Sequence, residues 1–588
     1  MPKAQSDTLP KGSACLACRR KKMRCDAVKP ICSNCVRSGG LECIYDNESR
    51  QSARRATKLR AYEDRIRELE DKLERVKIDS SNSNSNSSST PSTSAEPLKI
   101  TTSNWPKDFP PKDMVSYLTS TFYACSPFAA SDLPRQSFET RLMHLPPTSP
   151  KFPCKALCHA VFAIAFQHLP NKDPSEKHTA LALEKLNEDG QSPGLMFVLE
   201  RIHAAIIISQ HLFSIGNKAD LFFPVAFAAR GVIAFSLNHD TDYPRKWYLT
   251  AAGSDLEVEQ RRRLFFKAYI IDQLFTLDTG INPSIIQEGH LFTPLPCTLK
   301  AFKNSTFTSR IAKSTEYVYS PNFFIQHLGD GLSLLIKALV LMGRVNDFHL
   351  RSFYDVQALC LTSGSQLVSF GELDTLIQTF RQSFPSKYSD PVRVDEDGLD
   401  IDNLMAHMIA AKCMLSLHSQ FNSEKLSQSR LLLYSRVAIN SLHKLMATTY
   451  DLTRLPSMIF TTYSSSASIL VGAYIEAAKN LDIQAVSTIE NELLTIVRFF
   501  KITSNCVPAA HGFLKKLEDE ARKIGLDLSE TEKQTQTPKQ APPLNWILPE
   551  PVSALDMSEF DEYTLLSGSS FTATDETCWM NLSTFNEM

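Results

Sequence analysis

Several features that other classes of protein need are scarce in this sequence. The 588 residues carry a formal net charge of only −1, and no histidine precedes His144. No uninterrupted apolar run reaches the length of a membrane span, because Arg230 breaks the best candidate. The first ten residues are polar, so we expect no secretory signal peptide. The sequence therefore favours an intracellular protein with reduced thiols and no membrane partner.

Catalytic signatures are also missing from the sequence. It contains no nucleophile elbow, P-loop, dinucleotide fingerprint or H-E-x-x-H motif. Two features could be mistaken for parts of an active site, the pair His239–Asp240 and the run Arg261–Arg263. The pair is typical of capping or packing at a helix end, and the arginines are typical of a helix face paired with carboxylates. The sequence thus predicts a protein that is not an enzyme.

What the sequence does have is a concentration of cysteine near its start. Six cysteines follow the spacing C-x2-C-x6-C-x6-C-x2-C-x7-C, at Cys15, Cys18, Cys25, Cys32, Cys35 and Cys43. Zn²⁺ binds four thiolates tetrahedrally, so two separate sites would need eight sulfurs. Six sulfurs are enough for two ions if two of them bridge both. The spacing therefore predicts one binuclear cluster that holds two Zn²⁺ per chain.

Six cysteines at this spacing could serve three other purposes. A disulfide framework is typical of small secreted domains, for which a signal peptide would be expected. A catalytic zinc site keeps an open coordination position and commonly uses histidine or carboxylate ligands. A zinc module that binds protein instead of DNA stays open, although the one-sided distribution of basic charge argues against it.

Positive charge is concentrated between the second and third cysteines. The basic residues there are Arg19, Arg20, Lys21, Lys22 and Arg24, which we expect to form a short basic helix suited to a phosphate backbone. Residues 11–60 hold 13 Lys and Arg against 4 Asp and Glu, whereas residues 538–588 hold 1 Lys against 8 Asp and Glu. This polarity indicates nucleic acid at one end of the chain and a protein partner at the other.

The segment 15–43 resembles the DNA-binding module of fungal binuclear zinc cluster transcription factors. The six cysteines, the basic run and Lys29–Pro30 carry the resemblance. It implies that Cys15 and Cys32 bridge the ions. One ion would then take Cys15, Cys18, Cys25 and Cys32, and the other would take Cys15, Cys32, Cys35 and Cys43. It also implies nuclear localisation and recognition of CGG-like triplets in double-stranded DNA, with Lys21 and Lys22 at the base edges and Arg19, Arg20 and Arg24 nearer the phosphates.

A heptad pattern follows the basic linker 44–58. Within 59–78, apolar residues recur with 3-4-3-4-3 spacing at Leu59, Tyr62, Ile66, Leu69, Leu73 and Val76. In a parallel homodimer Lys58 would face Glu63 of the second chain, and Arg65 would face Glu70, so both pairs would attract. The pattern therefore predicts a short dimerisation coiled coil. The alternative is an amphipathic helix packed on the main domain.

A Ser/Asn-rich linker over 79–111 leads to a long helical region, 112–527. Helical spacing of apolar residues appears at 156–168, 195–213, 221–237, 256–277, 332–347, 401–420, 430–448, 456–479 and 485–502. This periodicity predicts a large all-α domain. Motifs of the same family's regulatory domain are resembled by segments 235–240, 259–266 and 294–296. The sequence departs from these motifs at Asn238, where the family has glycine, and at Gln273, shortly after the second segment, where it has arginine.

The two ends of the chain have compositions typical of disorder, at 1–14 and 528–588. The last segment is acidic and interleaves bulky residues, which suits an activation segment that orders on a coactivator or mediator-type protein. An ordinary disordered tail is the alternative. Together these features predict a zinc-dependent, sequence-specific activator of RNA polymerase II genes. The competing hypothesis is a zinc-stapled scaffold, or a repressor that recruits corepressors through the helical domain.

Overall fold

The computed structural model describes residues 14–39, 43, 105–188, 195–239, 252–279, 284–304, 316–353, 369–395 and 398–528. The predicted basic linker 44–58 and coiled coil 59–78 lie outside these residues. So do residues 1–13, the linker up to 104, and the acidic tail after Leu528. The chain divides into two compact units, Met1–Ile100 and Thr101–Met588.

The described residues of the first unit form two five-residue helices, α1 (Leu16–Arg20) and α2 (Ser33–Arg37). Each begins directly after a cysteine, so each C-x2-C pair spans the first turn of a helix. The buried cluster of the described part of this unit consists of cysteines, with Ala14 and Ala17 packed beside them. Large apolar side chains such as Val28 and Val36 are exposed. Residues 14–39 and 43 therefore form no apolar core that could stabilise them without metal ions.

The described part of the second unit is built almost entirely of helices. They are α3 (Lys112–Cys125), α4 (Pro127–Ala130), α5 (Arg135–His144), α6 (Lys155–Gln167), α7 (Asp173–Asn187), α8 (Leu195–Ile215), α9 (Lys218–Ala234), α10 (Asp255–Thr279), α11 (Leu299–Asn304), α12 (Gly331–Phe353), α13 (Phe370–Gln382), α14 (Ile401–Ser419), α15 (Lys425–Met446), α16 (Phe460–Lys479), α17 (Ile483–Ser504) and α18 (Ala509–Lys523). Short 3₁₀ turns lie at Glu288–His290, Ser386–Tyr388, Leu452–Arg454 and Ser457–Ile459. A two-residue antiparallel pair joins β1 (Val394–Asp395) to β2 (Gly398–Leu399), with Val394 opposite Leu399.

Polar side chains fix where several helices begin. Ser369 and Glu372 form a reciprocal capping box at α13, in which the Ser369 N–H donates to Glu372 Oε2 at 2.8 Å. Asp400 accepts the Asn403 N–H at the start of α14, and Asp482 accepts the Ala485 N–H at the start of α17, both at 3.0 Å. Such bonds satisfy N–H groups that have no partner within the first helical turn.

The core of this unit is centred on two almost fully buried helices. Every residue of α6 except Lys155 is buried, and α6 packs against α7 and α8. Most of α14 is likewise buried, and it packs against α12 and α15. Helices surrounded on all sides can be apolar all round, which explains why their sequences show little amphipathic pattern.

The nine segments with helical spacing all lie within or overlap observed helices, so the predicted helical character is confirmed. The sequence did not delimit α7, α13 or α18, which carry more charge on their exposed faces. The predicted linker also extended too far, to residue 111. Phe109 is buried and meets Phe162 edge-to-face at 5.4 Å, so the chain is already packed before α3.

Among the described residues, one segment is long and apolar enough to cross a membrane by length and composition. This segment, Ser457–Lys479, has a mean hydropathy of 1.2, and 56% of the stretch is buried within the unit. Sequence inspection found no run of this length because serine and threonine interrupt the apolar residues here. Core helices of globular domains pass the same test, and α16 packs between α15 and α17.

Candidate zinc centre and DNA-binding surface

The cysteine sulfurs of the first unit converge on one point. The Sγ atoms of Cys15 and Cys32 are 3.8 Å apart, those of Cys15 and Cys35 are 3.7 Å apart, and those of Cys18 and Cys32 are 3.6 Å apart. A disulfide bond would bring two sulfurs to about 2.05 Å. These sulfurs are therefore separate thiols that share one buried site.

The remaining two cysteines join this group from the loops. Cys43 interacts through its sulfur with Cys15, Cys32 and Cys35, and it accepts the Cys32 N–H at 3.2 Å. Cys25 Sγ lies within 4.8 Å of Cys32 Sγ. Residues spread over 29 positions of sequence thus supply six sulfurs to one centre.

The sulfur separations fit zinc. A tetrahedral ion with Zn–S bonds of about 2.3 Å holds its sulfurs about 3.8 Å apart. The three measured distances all join cysteines that would share an ion if Cys15 and Cys32 were the bridging ligands. The sulfur neighbours of Cys43 are likewise the other three members of the second ligand set. The donor set and its spacing therefore fit two zinc ions in one cluster.

Crowding also shapes the acidity of the metal-free thiols. Burial and the neighbouring Cys15 and Cys32 side chains raise the pKa of Cys18 to about 12. The backbone N–H of Cys32 lowers the pKa of Cys43. Zinc binds thiolates, so it displaces the protons that the crowded thiols hold. Acidification is therefore expected to weaken metal binding.

The basic run leaves this centre at the end of α1. The helix ends at Arg20, and Lys22 adopts a left-handed conformation with φ of +52°. The Met23 N–H donates to the Cys18 carbonyl at 2.9 Å, which closes the end of the helix. The prediction of a basic helix over the whole run is therefore wrong. Only Arg19 and Arg20 are helical, while Lys21, Lys22 and Arg24 are exposed beyond the helix.

Two polar residues that sequence reasoning missed hold this run in place. Both carboxylate oxygens of Asp26 lie 3.2 Å from the Ser33 N–H at the start of α2. Hydrogen bonds from Ser33 lower the pKa of Asp26. The Asn34 side-chain amide donates to the Arg24 carbonyl. These hydrogen bonds tie the loop after the basic run to α2. The only sequence signal for them was the position of Asp26 and Asn34 directly beside the cysteines Cys25 and Cys35.

The features that resembled an active site are structural. Arg261 pairs with Glu257 and Arg262 pairs with Glu259, both at 2.6 Å. The buried Arg263 donates to Asp132 at 3.2 Å, although 131 residues separate the two in sequence. These ion pairs confirm that the arginines form a helix face matched to carboxylates.

The His239 ring stacks on the Phe292 ring with a centroid distance of 4.8 Å, in agreement with the predicted packing role. Asp240 lies outside the described residues. The thiols of Cys154 and Cys158 are buried, whereas Cys125 and Cys506 are only half-buried.

Each of the two units contains a segment that matches a known protein family. Residues 13–52 match the fungal Zn(2)-Cys(6) binuclear cluster domain, and residues 198–366 match the fungal specific transcription factor domain. Both are domains of fungal Zn(2)-Cys(6) transcription factors. The resemblance noted in the sequence is confirmed. This is a family of transcription factors and not of enzymes, and its cluster binds two zinc ions through six cysteines, as the sulfur positions here allow.

Several curated proteins are similar to parts of this chain. The tropolone cluster transcription factor tropK of Talaromyces stipitatus is 46% identical over 63 residues, or 10% of this chain and 11% of that protein. The transcription factor FTF2 of Fusarium oxysporum is 38% identical over 63 residues, or 11% of this chain and 6% of that protein. The citrinin biosynthesis transcriptional activator mrl3 of Monascus ruber is 25% identical over 340 residues, or 50% of this chain and 65% of that protein. In each case the match spans less than two thirds of the relative.

Proposed function

We propose that this Zn(2)-Cys(6) family protein is a nuclear, zinc-dependent regulator that binds specific DNA sequences and controls transcription by RNA polymerase II. One observation carries the proposal. The zinc-binding cysteines fix the point at which a run of exposed basic residues leaves α1, at Lys21, Lys22 and Arg24. Because the cysteines and Asn34 hold the backbone on both sides, these cations need little further ordering to meet a phosphate backbone.

The left-handed turn at Lys22 separates the roles within the basic run. The turn redirects the backbone just after α1, so Lys22 lies outside the helix that carries Arg19 and Arg20. We assign base contacts in a CGG-like triplet to Lys21 and Lys22, and phosphate contacts to Arg19, Arg20 and Arg24. A lysine ammonium can donate to guanine O6 and N7, which discriminates bases, whereas phosphate contacts carry no sequence information.

Binding measurements on the full chain test this division. Lys22→Ala should cost about 1–3 kcal/mol on a CGG-containing probe and reduce the preference over a scrambled probe. Arg24→Ala should weaken both probes similarly and make the salt dependence shallower by about one unit. Lys177→Ala, which removes an exposed charge from α7, is the matched control and should change neither. Retained sequence preference in Lys22→Ala would contradict the assignment.

Dimerisation belongs to the same proposal. A single triplet carries too little information to select a promoter, and the heptads at 59–78 would hold two clusters on two half-sites. Charge at two core positions, Ile66→Lys with Leu69→Glu, should break a parallel homodimer. Binding to a two-half-site probe should then fall steeply, with little change on a lone triplet, and sedimentation should report monomers. A monomeric native chain that binds both probes equally would refute the homodimer.

Activation through the acidic tail is the last part of the proposal. The tail would recruit a coactivator or mediator-type protein, and the relative in Monascus ruber is itself named a transcriptional activator. Fusing residues 528–588 to an unrelated DNA-binding domain should raise reporter expression. A fusion that is silent or lowers expression would favour the alternative, a repressor or scaffold whose helical domain recruits corepressors.

A further inference from the structure

A small cleft lies between α10, α12 and the segment 284–288 of the helical unit. Tyr269 and Gln273 of α10 form one wall, and Gly343 and Asn346 of α12 form another. It is far along the chain from the zinc cluster, and the proposed DNA-binding function makes no use of it.

Gln273 is the most informative residue in this cleft. It is only 2% exposed, and its amide nitrogen donates to Ser284 Oγ at 2.8 Å and to the Ile286 carbonyl at 2.9 Å. A carbonyl only accepts, so the amide nitrogen must face Ile286 and the orientation of the side chain is fixed. Its carbonyl oxygen Oε1 then faces α12, where it is buried and has no hydrogen-bond partner among the residues that the structure describes.

A second unpartnered group of opposite polarity lines the same cleft. The Asn346 side-chain nitrogen is a buried donor for which the described part of the chain supplies no acceptor. Asn346 lies three residues after Gly343, so the two share one face of α12. A Cβ atom at Gly343 would lie 3.5 Å from Gln273 Oε1, which places that oxygen opposite this face. Buried unpaired polar groups are destabilising, so an acceptor and a donor left open in one cleft indicate an occupant that pairs with both.

The charges around the cleft restrict what that occupant can be. Arg344 is held by Glu288 in a two-bond ion pair, at 2.9 and 2.7 Å. Asp347 also lines the cleft. With its arginine already paired and a second carboxylate nearby, the cleft disfavours an anion. The open groups are instead matched by a neutral donor and a neutral acceptor.

We propose that this cleft binds a small neutral molecule that carries an N–H or O–H donor beside a carbonyl oxygen, as a primary amide does. The donor of the ligand pairs with Gln273 Oε1, and its carbonyl accepts from the Asn346 side chain. Tyr269 and Val340 supply apolar contact to the body of the ligand. The site uses no residue of the zinc cluster, so a test of ligand binding here neither supports nor refutes the proposal of DNA binding.

Gly343 offers a selective test. It lies inside α12, and the closest atom to an added methyl group would be Gln273 Oε1 at an ordinary contact distance. Gly343→Ala therefore fills the cleft without a clash and suits a helix better than glycine does. Gly472→Ala is the matched control, because Gly472 lies in α16 and a methyl group there would meet only open space.

The probe is acetamide, and acetate of the same shape is the anionic comparison. Binding of each to the full zinc-loaded chain is measured by saturation-transfer difference NMR at millimolar concentrations, the range expected for so small a ligand. The acetamide signal should fall about tenfold in Gly343→Ala and stay unchanged in Gly472→Ala, while acetate gives no signal that depends on Gly343. Circular dichroism of both variants confirms that the helical unit is intact.

Three results would overturn the proposal. Absence of an acetamide signal in the native chain would mean that the cleft holds water only. An acetamide signal of equal size in all three proteins would place binding elsewhere. An acetate signal that disappears in Gly343→Ala would make the cleft an anion site.

Discussion

Replacing Cys32 should remove both metal ions at once. Its sulfur lies 3.8 Å from Cys15 Sγ and 3.6 Å from Cys18 Sγ, and its backbone N–H donates to Cys43. If Cys32 bridges the two ions, Cys32→Ala takes one of four ligands from each. Cys18→Ala takes a ligand from one ion only. The two variants therefore differ in zinc stoichiometry although each removes one sulfur.

The size of the effect follows from the composition of the first unit. Structural zinc contributes about 10–16 kcal/mol of apparent binding free energy, so one ligand in four accounts for roughly 3 kcal/mol per ion. That corresponds to zinc binding weaker by on the order of 100-fold for each ion. Because the buried cluster of the described part of this unit consists of cysteines, no apolar core compensates for the loss. The fold of the unit and its DNA binding should be lost together.

Metal analysis after dialysis against a weak chelator measures the prediction. The native chain should hold two zinc ions, Cys18→Ala at most one, and Cys32→Ala none. Cys125→Ala, which removes a half-buried thiol of the helical unit, should keep both ions. Helical content should stay near native in every variant, since the second unit has its own core. Two zinc ions and full DNA affinity in Cys32→Ala would refute the bridging assignment.

Two further predictions concern the helical unit. Burial lowers the pKa of His211 to about 3, below its ordinary 6.5. As the pH drops, this histidine is therefore protonated in the unfolded chain before it is protonated in the folded chain. The free energy of unfolding should fall as the pH drops from 6.5 toward 3. Urea titrations at several pH values should show that the free energy of unfolding depends less steeply on pH in His211→Gln, by up to about 1.4 kcal/mol per pH unit. Lys337 is fully buried and donates to Glu316 and to the Gln326 carbonyl, so Lys337→Met should lower the free energy of unfolding by about 3–5 kcal/mol. Adding Glu316→Gln should restore part of the loss in the same titration, and no recovery would show that the loss of the Lys337–Glu316 ion pair is not its cause.

The zinc centre and most of the helices could be predicted from local sequence. A C-x2-C pair places two sulfurs within one turn whatever surrounds it, so the spacing of six cysteines could be interpreted without a structure. The same holds for helices such as α12, whose apolar residues repeat along one face. The packed segment at Phe109 escaped prediction because its partner Phe162 is distant in sequence. Helix α7 escaped prediction because its exposed face carries more charge.

Only the tertiary structure decided how the chemistry is arranged. The left-handed turn at Lys22 depends on where the cluster stops α1, so the charge pattern alone suggested a longer basic helix. The pairing of Arg263 with Asp132 and the open carbonyl of Gln273 depend on helices that meet across long stretches of chain. Sequence spacing sets which residues share a turn of helix, whereas burial and hydrogen bonding between distant residues are set by packing. For that reason the sequence by itself determined the metal and the family resemblance, and the fold decided which polar groups are paired and which remain open.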